Sequence, residues 1–323
     1  MGKDVAQGAF SREDRARYRQ KVRRCLDVFA LMLDDFGFDA ERPTTGLEIE
    51  LNLVDSEAEP AMRNAEILAN LADPTFQTEL GQFNLELNAR PRLIEGDGFA
   101  DYEEDVQASL GRAEHRAVKA DSTIILIGIL PTLTPRHLVL DNISANERYR
   151  VLNEQIVAAR GEDIELDIRG VERLQTYTDS IAPEAACTSV QFHMQVSPES
   201  FASYWNASQA IAAVQVAVGA NSPFLYGKRL WAETRIALFE QATDTRPDEL
   251  KAQGVRPGCG SASGGSPRSS TSSRRTCGTS RRCCRSATTR TRSRSCTRAA
   301  CRTWVSCACT TARSTAGTAR STT

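Results

Sequence analysis

Glu48 and Glu50 stand two residues apart in the stretch GLEIELNL at 46–53, and Glu86 recurs in QFNLELN at 82–88, with Glu79 seven residues before it. A period of two places Glu48, Glu50 and Asn52 on one side of a strand and Leu47, Ile49, Leu51 and Leu53 on the other. The same alternation opposes Asn84, Glu86 and Asn88 to Phe83, Leu85 and Leu87. In VQFHMQV at 190–196 it opposes Gln191, His193 and Gln195 to Val190, Phe192, Met194 and Val196. A water-facing strand is ordinarily rich in Lys, Thr and Arg, and none of these occupies the three polar faces. Strands of this kind set side by side would bring carboxylates together, which repels unless a cation lies between them. Oxygen donors without cysteine suit a hard ion, Mg²⁺ or Mn²⁺, rather than structural zinc. The plain alternatives are an acidic solvent face for the glutamates, a satisfied structural role for His193, and a surface helix position for Arg235 in AETRI at 232–236.

Other chemistries find less support. There is no G-x-x-x-x-G-K-[ST] phosphate loop, Gly219 and Gly227-Lys228 being too far apart, and no G-x-G-x-x-G after a strand. Any nucleotide is therefore expected over a sheet, through metal-bridged phosphates. Cys25 falls on an apolar helix face and is expected in the core; Cys187 has no identifiable base beside it and is not assigned as a nucleophile.

The elements that must carry these residues follow from periodicity and punctuation. Ser11-x-x-Asp14 resembles a capping box ahead of a helix whose apolar face is Tyr18, Val22, Cys25, Leu26, Phe29, Met32 and Leu33, with Gly37 as its stop. A short helix is expected at 61–72, a carboxylate strand at 79–88 closed by Pro91, a helix at 102–119, and a strand buried on both faces at 124–130. Further along, 144–158 reads as helix, 164–168 as a short strand, Ser197-Pro198 as the start of a helix running to Gly219, and 230–241 as helix or irregular chain around Arg235. One-sided carboxylate strands interleaved with helices give an α+β fold with a largely antiparallel sheet flanked by helices.

The 323 residues divide sharply in composition. Of the 40 basic residues 13 lie after residue 256, all of them Arg, while none of the 41 acidic residues does, so residues 1–256 carry a net charge of −14. Eight of the ten cysteines also lie in that tail. They show no repeated C-x-x-C and the tail has no His, which argues against a zinc module. A non-catalytic protein with an Arg-rich nucleic-acid-binding tail is the alternative, weakened by a single aromatic, Trp304, for stacking on bases. Arg-Ser-Thr-Cys-Ala bias is what a GC-rich gene gives when read out of register. Codons for 259–265 moved back one base can yield V-W-F-G-E-R-W. The tail at 257–323 is thus expected to be frameshifted and disordered, and 1–256 to be a partial catalytic domain. The start of the chain has no signal-peptide pattern and the longest apolar run is too short to span a bilayer, so a cytoplasmic location without membrane association is expected.

TGLEIELNLVD at 45–55, ELGQFNLELN at 79–88, CTSVQFHMQV at 187–196, and ANSPF at 220–224 followed by Thr234 and Arg235 together resemble the type 2 glutamate–cysteine ligase family, over about residues 10–256. The resemblance implies a fold similar to glutamine synthetase and the guanido kinases, an antiparallel sheet forming a funnel packed by helices. It implies an ATP-dependent carboxylate–amine ligase of glutathione-type thiol biosynthesis, joining glutamate to cysteine or another amine through an acyl phosphate, with ATP and Mg²⁺ (or Mn²⁺). By the same resemblance Glu48, Glu50, Glu79, Glu86 and His193 map to the metal–nucleotide face, and Arg235 to the substrate carboxylate or phosphate. Its pattern continues past residue 256 with further sheet, so the chain as written is expected to be poorly stable and weakly active or inactive. Oligomeric state is not legible.

Overall fold

The computed structural model describes residues 10–35, 38, 42–93 and 95–255. The tail expected to be disordered at 257–323, and Gly37 as a helix stop, lie outside the described residues. Among those described, α1 (Arg12–Asp34) opens on Ser11, whose hydroxyl accepts from Asp14 N–H while the Asp14 carboxylate reaches back to Ser11 N–H, so the capping box forms.

The centre of the molecule is a five-stranded antiparallel sheet. β1 (Thr44–Val54) lies in the middle. On one side it pairs with β3 (Asn84–Leu93), which in turn pairs with β2 (Phe76–Thr78). On the other side the first half of β1 pairs with β7 (Val190–Met194) and its last residues with β4 (Thr123–Ile125). The apolar halves of the alternating strands carry this arrangement: Leu47, Ile49, Leu51, Leu53, Leu85 and Leu87 are all buried. They pack with Ile67 of α2 (Asn64–Leu71) and with Tyr102, Ala113 and Ala117 of α3 (Gly98–Lys119). Each buried leucine or isoleucine contributes about 1.5–3 kcal/mol of transfer free energy, which fixes the polar halves on the opposite face.

A second core forms around the hairpin of β5 (Ile164–Arg169) and β6 (Arg173–Thr178). It gathers Ile164, Leu166 and Ile168, Ile129 and Leu133 from the loop after β4, and Leu238 of α6 (Arg235–Ala242). α4 (Glu147–Arg160) adds Tyr149 and Ile156 to it. α5 (Phe201–Gly219) follows β7, and the short hairpin of β8 (Phe224–Leu225) and β9 (Lys228–Arg229) turns on Tyr226 and Gly227, both at positive φ. α7 (Asp248–Ala252) ends the described chain.

Several sequence expectations are corrected. Pro91 does not close its strand: β3 runs on to Leu93 through a register shift opposite the Thr45/Leu47 step, and a bulge tolerates a residue that donates no ladder hydrogen bond. Glu79 sits between β2 and β3 rather than in a strand. Of the run at 124–130 only the start is strand; beyond it the chain leaves the ladder, Leu126 being exposed while Ile129 and Leu130 are buried. The helix expected at Ser197 begins at Phe201, after a turn in which Ser200 N–H donates to Ser197 carbonyl (3.1 Å). The face assigned to α1 is not core: no residue of that helix is buried, Tyr18 is 68% exposed, and Cys25 is exposed. α5 likewise buries none of its residues. Periodicity reports a one-sided helix but not whether a partner covers that side.

Candidate active site

The polar face is set by register. Glu50 on β1 lies directly opposite Glu86 on β3, with Glu48 opposite Asn88 and Asn52 opposite Asn84. On the other flank Glu48 is opposite Gln191 of β7, and Gly46 is opposite His193. All of these side chains share one face because directly opposed residues in a ladder point to the same side of the sheet.

The turn that carries Glu79 is clamped from three directions. Asn64 Nδ2 donates to the carbonyls of Gly81 (3.1 Å) and Asn84 (3.1 Å) and to Ser144 Oγ (2.8 Å). Ser144 N–H donates to Leu80 carbonyl (2.8 Å), and the Ser144 hydroxyl to Glu79 carbonyl. Gln82 N–H donates to Asn142 carbonyl (2.9 Å). So held, Glu79 joins the two strand glutamates: one carboxylate oxygen from each of Glu50, Glu79 and Glu86 lies within 4.8 Å of the others. Glu50 and Glu86 are buried and Glu79 is half-buried.

Amide donors align two of these carboxylates. Gln77 Nε2 and Asn88 Nδ2 each donate to Glu86 Oε1 at 2.6 Å, and Gln191 Nε2 donates to Glu50 Oε1 at 3.3 Å. These neutral amides orient the two carboxylates. An all-oxygen donor set of this kind fits a hard divalent cation. Glu48 and His193 lie outside the triplet as a pair of their own, with Nε2 of the ring 3.4 Å from Oε1 of the carboxylate. Interaction with His193 holds the Glu48 carboxyl below its ordinary range, against burial, which pushes the other way.

Arg235 lies elsewhere. It is 2% exposed, and its guanidinium forms a two-pronged ion pair with Glu233 and donates through Nη1 to Thr188 carbonyl (2.5 Å). Ser222 hydroxyl donates to the same Glu233 carboxylate (2.5 Å). Gly128 makes room for this group: a Cβ there would come 2.7 Å from Arg235 Cζ and 2.5 Å from Asn221 Oδ1. Thr188 continues the buried polar chain to the sheet, since Asn52 Nδ2 donates to Thr188 Oγ1 (3.1 Å) and Asn84 Nδ2 to Asn52 Oδ1 (3.1 Å). Its neighbour Ser189 accepts from Glu50 N–H (2.9 Å). A small cleft lined by Glu50, Ile127, Gly128, Thr188, Ser189 and Asn221 runs between the two groups.

Sequence reading therefore located Glu50, Glu79 and Glu86, which meet, and Glu48 and His193, which meet each other beside them. It missed Gln77, Glu233 and the residues of α4. Glu233 stands two positions before Arg235, and a Glu-x-Arg spacing is a signal that could have found it. Tyr149 on α4 lies near the acidic face: burial first, and then the charge of Glu79, push its phenol up to about 12.

The fold and this face define an α+β protein whose antiparallel sheet converges carboxylates on one side while helices cover the other. The family model described as glutamate-cysteine ligase family 2 matches residues 44–253, and the chain belongs to that family. It is accordingly a ligase-type enzyme of the carboxylate–amine class. No curated protein matches the chain. Among the described residues no helix is long and apolar enough to cross a membrane.

Proposed function

We propose that the chain joins the γ-carboxylate of glutamate to an amine, cysteine being the acceptor that the family's description names, with ATP as the phosphoryl donor. The γ-phosphoryl group passes to the carboxylate, giving an acyl phosphate and ADP. The amine then attacks the carbonyl carbon, phosphate leaves with the bonding pair, and the amine gives up a proton.

Glu50, Glu79 and Glu86 are the residues that would hold Mg²⁺ or Mn²⁺. Such an ion would supply positive charge against a polyphosphate at this face. The chain's own contributions are positional. Gln77, Asn88 and Gln191 aim the carboxylates. Glu48 orients the His193 ring at the edge of the same face, as a further ligand or as a contact to the nucleotide. Arg235, which the resemblance assigns to substrate, is read instead as holding Thr188 and Ser189, and through Ser189 the backbone of Glu50. Its burial and its pairing with Glu233 support that reading.

The observation that carries the proposal is the approach of three carboxylate oxygens to within 4.8 Å on a face that also carries Glu48, His193 and several side-chain amides. The test is titration calorimetry of the full chain with Mn²⁺ and with Mg²⁺–ATP, alongside detection of ADP and γ-glutamyl product from glutamate and cysteine. Binding that is lost in Glu50→Gln supports the reading. Binding that survives Glu50→Gln and Glu86→Gln together overturns it.

A further inference from the structure

α4 brings a cation to the edge of the carboxylate face. The segment 142–146 is tied to the Glu79 turn by the Gln82–Asn142, Ser144–Leu80 and Ser144–Glu79 hydrogen bonds, so α4 starts beside that turn. Asn146 caps the helix by accepting from Arg148 N–H (2.9 Å), which fixes Arg148 in its first turn. Tyr149, buried, points its hydroxyl back to the strand before Glu79 and donates to Thr78 carbonyl (3.2 Å). The guanidinium of Arg148 lies over the Tyr149 ring, 4.7 Å from its centre, and donates through Nη2 to the Tyr149 hydroxyl (2.8 Å). Arg148 is thus one hydroxyl away from the residue that precedes Glu79.

What sets Arg148 apart is its charge balance. Arg150, two residues on, is paired with both Glu147 and Glu154. Arg148 is half-buried and, among the described residues, pairs with no carboxylate; its side-chain contacts are with the ring and hydroxyl of Tyr149. A guanidinium stacked on an aromatic ring is pre-organised, and it keeps N–H groups for a planar or tetrahedral anion. Held one hydroxyl away from the strand that leads to Glu79, it suits a ligand that presents oxyanions to the acidic face through a shared cation.

We propose that Arg148 is the phosphate-contacting residue of this site, donating to the polyphosphate of the nucleotide bound over Glu50, Glu79 and Glu86. This rests on the ligase reading above and assigns the anion-binding role to α4 rather than to Arg235. Tyr149 acts as its positioning residue, since it touches Arg148 and the Thr78 backbone.

The test uses the full chain, titrated with Mn²⁺ alone, with inorganic triphosphate plus Mg²⁺, and with a non-hydrolysable ATP analogue plus Mg²⁺. Arg148→Ala is expected to weaken both triphosphates by about tenfold or more, the loss of a charge-assisted contact, and to leave Mn²⁺ binding and the unfolding temperature unchanged. Arg148→Lys should recover part of the loss, because it keeps the charge but not the fork. Equal triphosphate affinity in Arg148→Ala and wild type overturns the role of Arg148 while leaving the ligase reading intact. Loss of Mn²⁺ binding in the same variant overturns it too, by making the residue structural. A wild-type chain that takes up neither triphosphate removes the ligase reading and this proposal together.

Discussion

Glu50 and Glu86 face each other directly across β1 and β3, two buried acids in register at the centre of the sheet. A cross-strand pair of like charges costs stability. A cation held beside Glu79 would offset that cost, which is why this relationship, rather than acidity in general, supports the proposed cation site.

Neutralising one member should therefore separate stability from function. Glu86→Gln is expected to raise the metal-free unfolding free energy by about 0.2–1 kcal/mol through relief of repulsion. The same change should lower Mn²⁺ affinity by about tenfold or more, because one ligand of a hard cation becomes neutral. Chemical denaturation and calorimetry read the two effects. A variant that is both less stable and normal in Mn²⁺ affinity contradicts the assignment.

The Glu233–Arg235 pair should behave as a buried unit. Arg235→Met leaves Glu233 charged and uncompensated and is expected to cost about 3–5 kcal/mol. Glu233→Gln combined with Arg235→Met should cost clearly less than Arg235→Met alone. Additive costs in a double-mutant cycle would show that the two side chains are not coupled.

Gly128 tests the same region by size alone. A Cβ there would meet Asn221 Oδ1, to which Gly128 N–H itself is bonded at 3.0 Å, and the Arg235 guanidinium. Gly128→Ala is expected to destabilise by about 1–3 kcal/mol, the usual cost of overpacking. Wild-type stability in urea would mean that the neighbouring groups yield freely.

Asp244 gives a pH signature. Burial by itself would raise its pKa, but hydrogen bonds from the Arg246 side chain and backbone hold it below the ordinary 3.8. A depressed folded-state pKa contributes stability above the unfolded value, and that contribution fades as the pH falls through the folded one. Asp244→Asn should therefore cost about 1–2 kcal/mol near neutral pH and less at a pH well below 3.8. Equal costs at both would rule out the carboxylate as the source.

Much of the sheet was legible because its signal is local. A period of two in 46–53, 82–88 and 190–196 specifies faces, and burial of Leu51, Leu53, Leu85 and Leu87 then forces the register that opposes Glu50 to Glu86. β6 was missed because RLQTYT buries only Leu174, too weak a pattern to read. The role of Arg148 and the burial of Arg235 were illegible for a different reason. One owes its place to a turn about seventy residues earlier, and the other lies buried only because Gly128, Thr188 and Glu233 converge on it.

The bulge where β3 passes Pro91 has an electrostatic consequence. Unbroken pairing would continue the even-numbered series Asn84, Glu86, Asn88 and bring Arg92 up on the acidic side. The slipped residue reverses that parity, and Arg92 instead pairs with Asp105 of α3, the helix layer beneath. One misfit step in the ladder thus turns Arg92 toward the helix side of the sheet, away from the face that carries Glu86.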